Sequence, residues 1–386
     1  MGFGKDCDTY EEAYKWAMKA IEMALSRGGD QVVIRDGGDF SFIGGRSKET
    51  ERRTKVKSRV VATALSDVLS GARQVIVMGH KFPDLDVMGS AAGVVAIARK
   101  LNVPARIVKA PSPNPAEVMT KKLAALPEYK KVFITGEEAR HLAAEPDTIV
   151  IVVDTNRPEQ TQVPELLTSG ARIIVLDHHR RAASYIENPS LSFHDPYASS
   201  ASELVTELVQ YILDMGDLKK TEAEALLAGI VLDTKAFTMR TGSRTFETAA
   251  FLRKSGADTA EVKKLFQNGL EETVSKFEII RGAVPYRKSM ALALTDQKVG
   301  RAIAGQASDE LLNIAGIQAS FVIYPEEGQT CLSARSDGSV NVQVISEMLG
   351  GGGNAVTAGA QFPGKTPEEV QVELKAAIDK YFDEDA

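Results

Sequence analysis

Short apolar runs rich in Val and Ile recur from residue 73 onward: QVIVMGH, ARIVKA, KVFIT, TIVIVVDTN and ARIIVLDHH. Helix-prone stretches such as SAAGVVAIARKLN and PELLTSG separate most of them. Strands that read as continuous hydrophobic runs are buried on both faces, so the alternation predicts an α/β fold with a parallel sheet covered on each side. From Ser199 to about Val284 the 3.6-residue period dominates, and TAEVKKLFQNGLEETVSKFEIIRGAV predicts one long helix leading into the next domain. After Tyr286, SMALALTD, GIQASFVIYPE and TCLSARS predict a smaller, mixed α/β domain. NVQVISEMLGGGGNAVTAGAQF then reads as a helix, a glycine run and a second helix.

Ahead of these domains, residues 9–26 predict a helix with Tyr14, Met18, Ile21 and Leu25 on its apolar face. RGGDQVVIRDGGDFSFIGG predicts a hairpin turning at DGGD. ETERRTKVKSRVVATALSDVLSGA is a helix whose basic first half gives way to an amphipathic second half, as suits a connector. The expected organisation is an N-terminal segment with its linker helix at 1–57, the parallel-sheet domain at 58–262, a connecting helix at 263–284 and the mixed domain at 285–386.

Composition narrows the function. The net charge of -6 over 386 residues argues against a duplex nucleic-acid binder, which needs a basic footprint to displace counterions. A local basic pocket for a small anion stays open. Cys7 and Cys331 lie far apart and form no metal or disulfide pattern, as expected in a reducing cytoplasm. No apolar run approaches the roughly 20 residues that span a bilayer, and no signal peptide opens the chain.

The apolar runs end in side chains that bind metals. MGHKFPDLDVMGS carries His80, Asp84 and Asp86, VVDTN carries Asp154, LDHH carries Asp177, His178 and His179, and GIVLDTKAF carries Asp233. Sites in open α/β sheets form beyond the carboxyl ends of the strands, so these segments are expected to converge. Imidazole with carboxylate suits divalent ions such as Mn²⁺. So many acids would leave charge unneutralised around one ion, whereas two ions sharing a carboxylate balance it.

In this order the motifs resemble those of the DHH phosphoesterase superfamily, which includes RecJ-type exonucleases, oligoribonucleases of very short RNA and family II inorganic pyrophosphatases. The resemblance implies two Mn²⁺ per chain, one held by His80 and Asp84, the other by Asp86, His178 and Asp233, with Asp154 bridging. It implies that catalysis rests on Asp154 and His179, the latter facing the scissile phosphate, and that Asp177 orients a neighbouring ligand. SARSDGSVNVQVISEMLGGGGNAVTAGA resembles the DHH-associated domain. There Arg335 offers a fork for phosphate. The glycines Gly350, Gly351, Gly352 and Gly353 let backbone amides approach a nucleotide. Ser336 and Asn341 are weaker contacts, and Arg240, soon after Asp233, is a modest one. The family pattern is four glycines followed by histidine; here Asn354 stands in that place, which bears on affinity or substrate choice. Ser200 or Ser202 in ASSASELVTEL is expected to cap a helix.

The front segment resembles the end of a degenerate GGDEF domain and its linker in membrane-anchored cyclic-di-AMP phosphodiesterases of the GdpP type. That resemblance implies the cytosolic portion of a membrane-anchored protein and a homodimer. It implies hydrolysis of cyclic di-AMP to linear pApA, with cyclic di-GMP a poorer substrate. Two alternatives stand beside it: oligoribonuclease-like cleavage of pApA or short RNA to mononucleotides, and a sensor that binds cyclic dinucleotides without hydrolysing them.

Overall fold

A computed structural model describes residues 1–26, 31–36, 39–44, 55–181, 184–326, 328–353 and 355–383. Asn354, the tip of the DGGD hairpin and the first part of the linker at 45–54 lie outside the described residues. The chain divides into two compact units, Met1–Phe266 and Gln267–Ala386. No helix among the described residues is long and apolar enough to cross a membrane.

The first unit opens with β1 (Gly2–Lys5), α1 (Tyr10–Ser26), β2 (Gln31–Asp36) and β3 (Asp39–Gly44). The expected hairpin is present, with β2 and β3 antiparallel and Asp36 opposite Asp39. β1, which the sequence pattern did not reveal, runs parallel to β2. It reverses the expected face of α1: Tyr14 is 67% exposed and Met18 and Ile21 also face solvent, while Ala20, Met23 and Ala24 are buried. The cause is close packing on two glycines. A Cβ on Gly2 would lie 2.4 Å from Ile21 N, and one on Gly4 would lie 2.7 Å from Ala13 O, so the helix presents its small side chains to β1.

The linker continues as α2 (Lys55–Ser70), which buries Ser58, Val61, Ala62, Leu65 and Leu69. There follow β4 (Gln74–Met78), α3 (Leu85–Lys100), β5 (Ala105–Val108), α4 (Glu117–Ala124), β6 (Phe133–Ile134), α5 (Gly136–Ala143), β7 (Thr148–Val153), β8 (Arg172–Asp177) and β9 (Leu191–His194). Helices α6 (Ala201–Ile212), α7 (Lys220–Asp233), α8 (Ser243–Lys254) and α9 (Thr259–Lys264) complete the unit. The strands form a sheet in the order β6-β5-β4-β7-β8-β9, each neighbouring pair parallel. Alternate residues enter two different cores: Val75, Val77, Ile149 and Ile151 on one face, Ile76, Met78, Val150 and Val152 on the other. That double burial explains the unbroken apolar runs. The chain leaves β4 toward β5 and β6 on one side and returns with β7, β8 and β9 on the other. The switch point between β4 and β7 opens a crevice at the carboxyl ends of the strands.

The expected long helix at 263–284 is interrupted. Leu265 caps α9, Gly269 caps α10 (Leu270–Arg281), and α10 belongs to the second unit. The break falls at Asn268-Gly269, residues of low helix propensity. The second unit continues through β10 (Val284–Tyr286), β11 (Met290–Leu294), α11 (Arg301–Leu311), β12 (Ala319–Glu326), β13 (Gln329–Ser336), α12 (Val342–Met348), β14 (Gly352–Gly353), β15 (Thr357–Pro363) and α13 (Pro367–Asp383). Its sheet runs β10-β11-β12-β13-β15-β14 and is mixed, since β11 and β12 are parallel and the other pairs antiparallel. The second helix expected after the glycine run is strand β15. Ala358, Ala360 and Phe362 alternate into the core with period two, and β13 supplies the partner ladder.

Tyr14→Ala is expected to leave stability within about 0.5 kcal/mol. Leu65→Ala, on the buried face of α2, should cost about 3 kcal/mol. Urea denaturation of the two variants checks this, and the reverse order would contradict the observed packing.

Candidate metal centre

Each ligand-bearing side chain sits where an element ends or begins. His80 follows β4, where an isolated bridge pairs it with Thr161. Asp84 is the N-cap of α3, and its Oδ1 accepts from Asp86 N at 2.9 Å and Val87 N at 3.2 Å. Capping occupies one oxygen; the other lies 3.7 Å from His80 Nε2. Asp154 follows β7 with φ +57°, a left-handed conformation that non-glycine residues adopt at a cost of order 1–3 kcal/mol. Its backbone N–H donates to Leu176 O at 3.0 Å, so the β7–β8 ladder imposes the turn. Asp177 ends β8, and Asp233 ends α7.

These residues form overlapping groups whose ligand atoms lie within 4.8 Å of one another: His80, Asp84 and Asp154; Asp86, Asp154, His178 and Asp233; and Asp154, His178 and His179. Asp154 belongs to all three. His178 Nδ1 lies 3.4 Å from the carbonyl oxygen of Ala198, a contact that favours a proton on Nδ1 and a lone pair on Nε2. Nε2 lies 3.3 Å from Asp154 Oδ1 and 3.1 Å from Asp233 Oδ2. Both His178 Nε2 and Asp154 Oδ1 are nevertheless buried without a properly aligned hydrogen bond. Two orphaned polar atoms facing each other among carboxylates are the donor set of a divalent cation, and the residues fit one.

The electrostatics describe the same crowding. Burial pushes the Asp86 carboxyl well above its usual range, and the charges of Asp154 and Asp233 add to it. Burial also raises Asp233, against the opposing pull of His178. Burial works against the Asp154 carboxylate too, but contacts with His178 and His80 outweigh it and hold the pKa low. His80 is pushed up to about 10, because Asp154 and Asp84 overcome the burial that disfavours its charge. Like charges held this close cost free energy that a cation recovers.

Asp86 is held from outside the ligand set. Its Oδ2 accepts from Ala201 N at 2.7 Å and its Oδ1 from Ser202 N at 2.8 Å, so the N-terminus of α6 grips the carboxylate. Ser200 is the cap, its Oγ accepting from Glu203 N at 3.0 Å. Ser202 instead donates Oγ to Asp86 O at 3.3 Å. Both hydroxyls are buried in these structural roles. Gly229 of α7 completes the pocket: a Cβ there would lie 2.6 Å from Asp86 Oδ1 and 2.2 Å from Ser202 Oγ.

Asp177, fully buried, accepts from His179 Nδ1 at 2.9 Å, and Asn156 Nδ2 donates to its other oxygen. Burial opposes the Asp177 carboxylate, but the His179 contact outweighs it and lowers the pKa. An ionised Asp177 makes Nδ1 the donor, which leaves Nε2 as the other nitrogen of a half-exposed ring. Asn156 lies two residues after Asp154 in VVDTN, yet nothing in that spacing announced its role.

In the second unit, a pocket of about 500 Å³ is lined by Gly350, Gly351 and Gly352 together with Arg301, Tyr324 and Gln361. The sequence pattern had not singled out Arg301 or Gln361. Arg335 lies outside that lining, its Nε donating to Asp309 Oδ1 at 3.1 Å. Ser336 Oγ accepts from Gly338 N at 3.0 Å, and Asn341 caps α12 by accepting from Gln343 N at 3.1 Å. Glycine is demanded at Gly351, where a Cβ would meet Gly359 O at 2.2 Å, whereas at Gly352 the same space is open. Arg240 is exposed on the turn after α7, at φ +48°.

Gly229→Ala is expected to weaken Mn²⁺ binding at least about tenfold by displacing Asp86. Calorimetric titration of the variant checks this, and unchanged affinity would show that the α6–α7 packing does not set the ligand.

Residues 74–230 match the DHH family, N-terminal domain, and residues 288–384 match the DHHA1 domain. The chain is 38% identical over 392 residues to the cyclic-di-AMP phosphodiesterase GdpP of Bacillus subtilis (strain 168). It is 40% identical over 389 residues to the cyclic-di-AMP phosphodiesterase PdeA of Listeria monocytogenes serotype 1/2a (strain 10403S). Each match takes in 99% of this chain and 59% of the relative, so the chain spans about six-tenths of the length of these proteins. In fold it resembles the crystal structure of an exopolyphosphatase-related protein from Bacteroides fragilis, with TM-score 0.72 at 19% identity, covering 86% of this chain and 98% of that one. The chain thus carries a match to the DHH family N-terminal domain followed by a match to the DHHA1 domain.

Proposed function

We propose that this protein is a metal-dependent phosphodiesterase that hydrolyses cyclic di-AMP to linear pApA. The observation that carries the reading is Asp154, shared by every ligand group at the switch point of the parallel sheet. The relatives named cyclic-di-AMP phosphodiesterases supply the substrate class. The front segment, β1 through β3, is read as the end of a degenerate GGDEF domain.

His80 and Asp84 would hold one Mn²⁺, Asp86, His178 and Asp233 the other, with Asp154 between them. Four aspartates carry four negative charges, which two divalent cations neutralise and one does not. Bound there, the cations would supply Lewis acidity toward phosphate and the acidification of water. The chain's own residues do the rest. Asp177 fixes the His179 ring so that Nε2 meets the phosphoryl oxygen on which charge develops. The α6 N-terminus keeps Asp86 turned toward the ligand group. The glycine-lined pocket of the second unit would take a nucleotide, with Gly352 free to lay its backbone against the ligand and Arg301 adding positive charge.

Incubation with Mn²⁺ and cyclic di-AMP, with products resolved by chromatography, is expected to give pApA. AMP as the end product would favour the oligoribonuclease-like reading, and bound but intact ligand would favour a sensor. Gly352→Val should raise KM at least about tenfold while leaving kcat and thermal stability unchanged. An unchanged KM would remove the glycine pocket from substrate binding.

A further inference from the structure

A ring-nitrogen contact ties the backbone of His179 to an element that carries none of the ligands. His194, the last residue of β9, directs Nε2 at the peptide oxygen of His179, 2.5 Å away. That oxygen also accepts from Asn156 Nδ2 at 3.2 Å. The β8–β9 register places His194 opposite Asp177, so one strand pair holds the His179 ring through Asp177 and its peptide through His194. His179 itself lies beyond the end of β8, where the ladder no longer fixes the backbone.

The contact continues outward. Lys57 of α2 donates Nζ to the carbonyl oxygen of His194 at 3.1 Å, lies 5.6 Å from the Phe193 ring centroid and 3.9 Å from Asp195 Oδ2. Its neighbour Ser58 is buried and donates to Glu207 Oε2 at 2.5 Å, while Arg244 Nη2 reaches Glu207 Oε1 at 2.9 Å. A hydrophobic contact alone would let α2 slide; these directional bonds fix its position along α6 and β9.

We propose that His194 is a positioning residue that sets the His179 peptide, and that Lys57 makes this setting depend on α2. The proposal rests on the reading of His179 as the group facing phosphate. A rigid ring donor is suited to the task, since a displacement of about 1 Å at a reacting group can cost about a hundredfold in rate.

The test compares H194L, H194N, H194Q and K57M in the full chain. The glutamine amide nitrogen can replace Nε2; the asparagine amide is too short to reach. With Mn²⁺ and cyclic di-AMP, H194L and H194N should lower kcat about 10- to 100-fold with KM and Mn²⁺ affinity within about threefold of the parent. H194Q should return kcat to within about threefold, and K57M should fall between. Unchanged kcat in H194L, failure of H194Q to rescue, or a parallel loss of Mn²⁺ affinity would overturn the proposal. Should H194L not fold, the H194N and H194Q pair carries the comparison. The chain has five histidines, so ¹⁵N-histidine labelling gives a readout that needs no turnover. The His179 ring resonances should move in H194N and stay in place in H194Q. If the parent protein leaves cyclic di-AMP intact, the functional reading fails while this spectrum still decides the positioning link: resonances that stay in place in H194N would sink it.

Discussion

Holding four aspartates and two imidazoles within a few ångströms is the constraint on which the rest of this structure depends. The arrangement is unfavourable taken alone, since burial and like charge push Asp86 and Asp233 toward their neutral forms. The fold imposes it through elements with other reasons to be where they are. The β7–β8 ladder forces Asp154 into a left-handed turn, and the first turn of α6 binds both oxygens of Asp86. Gly229 lets α7 come close enough that Asp233 reaches the same group. The cost of placing the charges is distributed over the parallel sheet and its helices, and a divalent cation held there would offset part of it.

Two histidines in different environments share the end of β8. His178 is buried and turns Nε2 inward; its neighbour His179 is half exposed and held by Asp177 and by its own peptide oxygen. The two rings lie side by side, their centroids 4.4 Å apart, and both approach Asp154 Oδ1, His178 through Nε2 at 3.3 Å and His179 through Nδ1 at 3.5 Å. The contacts made by Lys57 and Ser58 then connect this strand end to α2, the helix that follows the N-terminal hairpin. A change in the seating of α2 has a short covalent and hydrogen-bonded path to His179.

Much of this was legible in the sequence for a physical reason. Strands buried on both faces must be apolar throughout, so the polar residues that interrupt them at His80, Asp154 and Asp177 stand out. What stayed hidden depended on contacts between distant segments. Asn156, His194 and Gly229 look ordinary in their own stretches, and only the meeting of the β7, β8 and β9 strand ends and the α3–α7 packing give them work. The apolar period of α1 points to the wrong face because β1 is a short glycine strand, whose packing rewards alanines over the larger side chains. The stretch after the glycine run carries little β signal in its alanines and glycines, and it is the ladder to β13 that makes it a strand. The polarity of Asn341 and Ser336 stands out in the sequence, and the fold uses it to cap α12 and a turn.

The proposed function needs Asp154 to serve two cations at once. Electron paramagnetic resonance of the Mn²⁺-loaded protein, with metal content determined in parallel, tests it most directly. Two ions per chain are expected, with the multiline spectrum of an exchange-coupled pair that collapses to an uncoupled signal in D154N. A single ion per chain, or two ions without coupling in the parent protein, would contradict it.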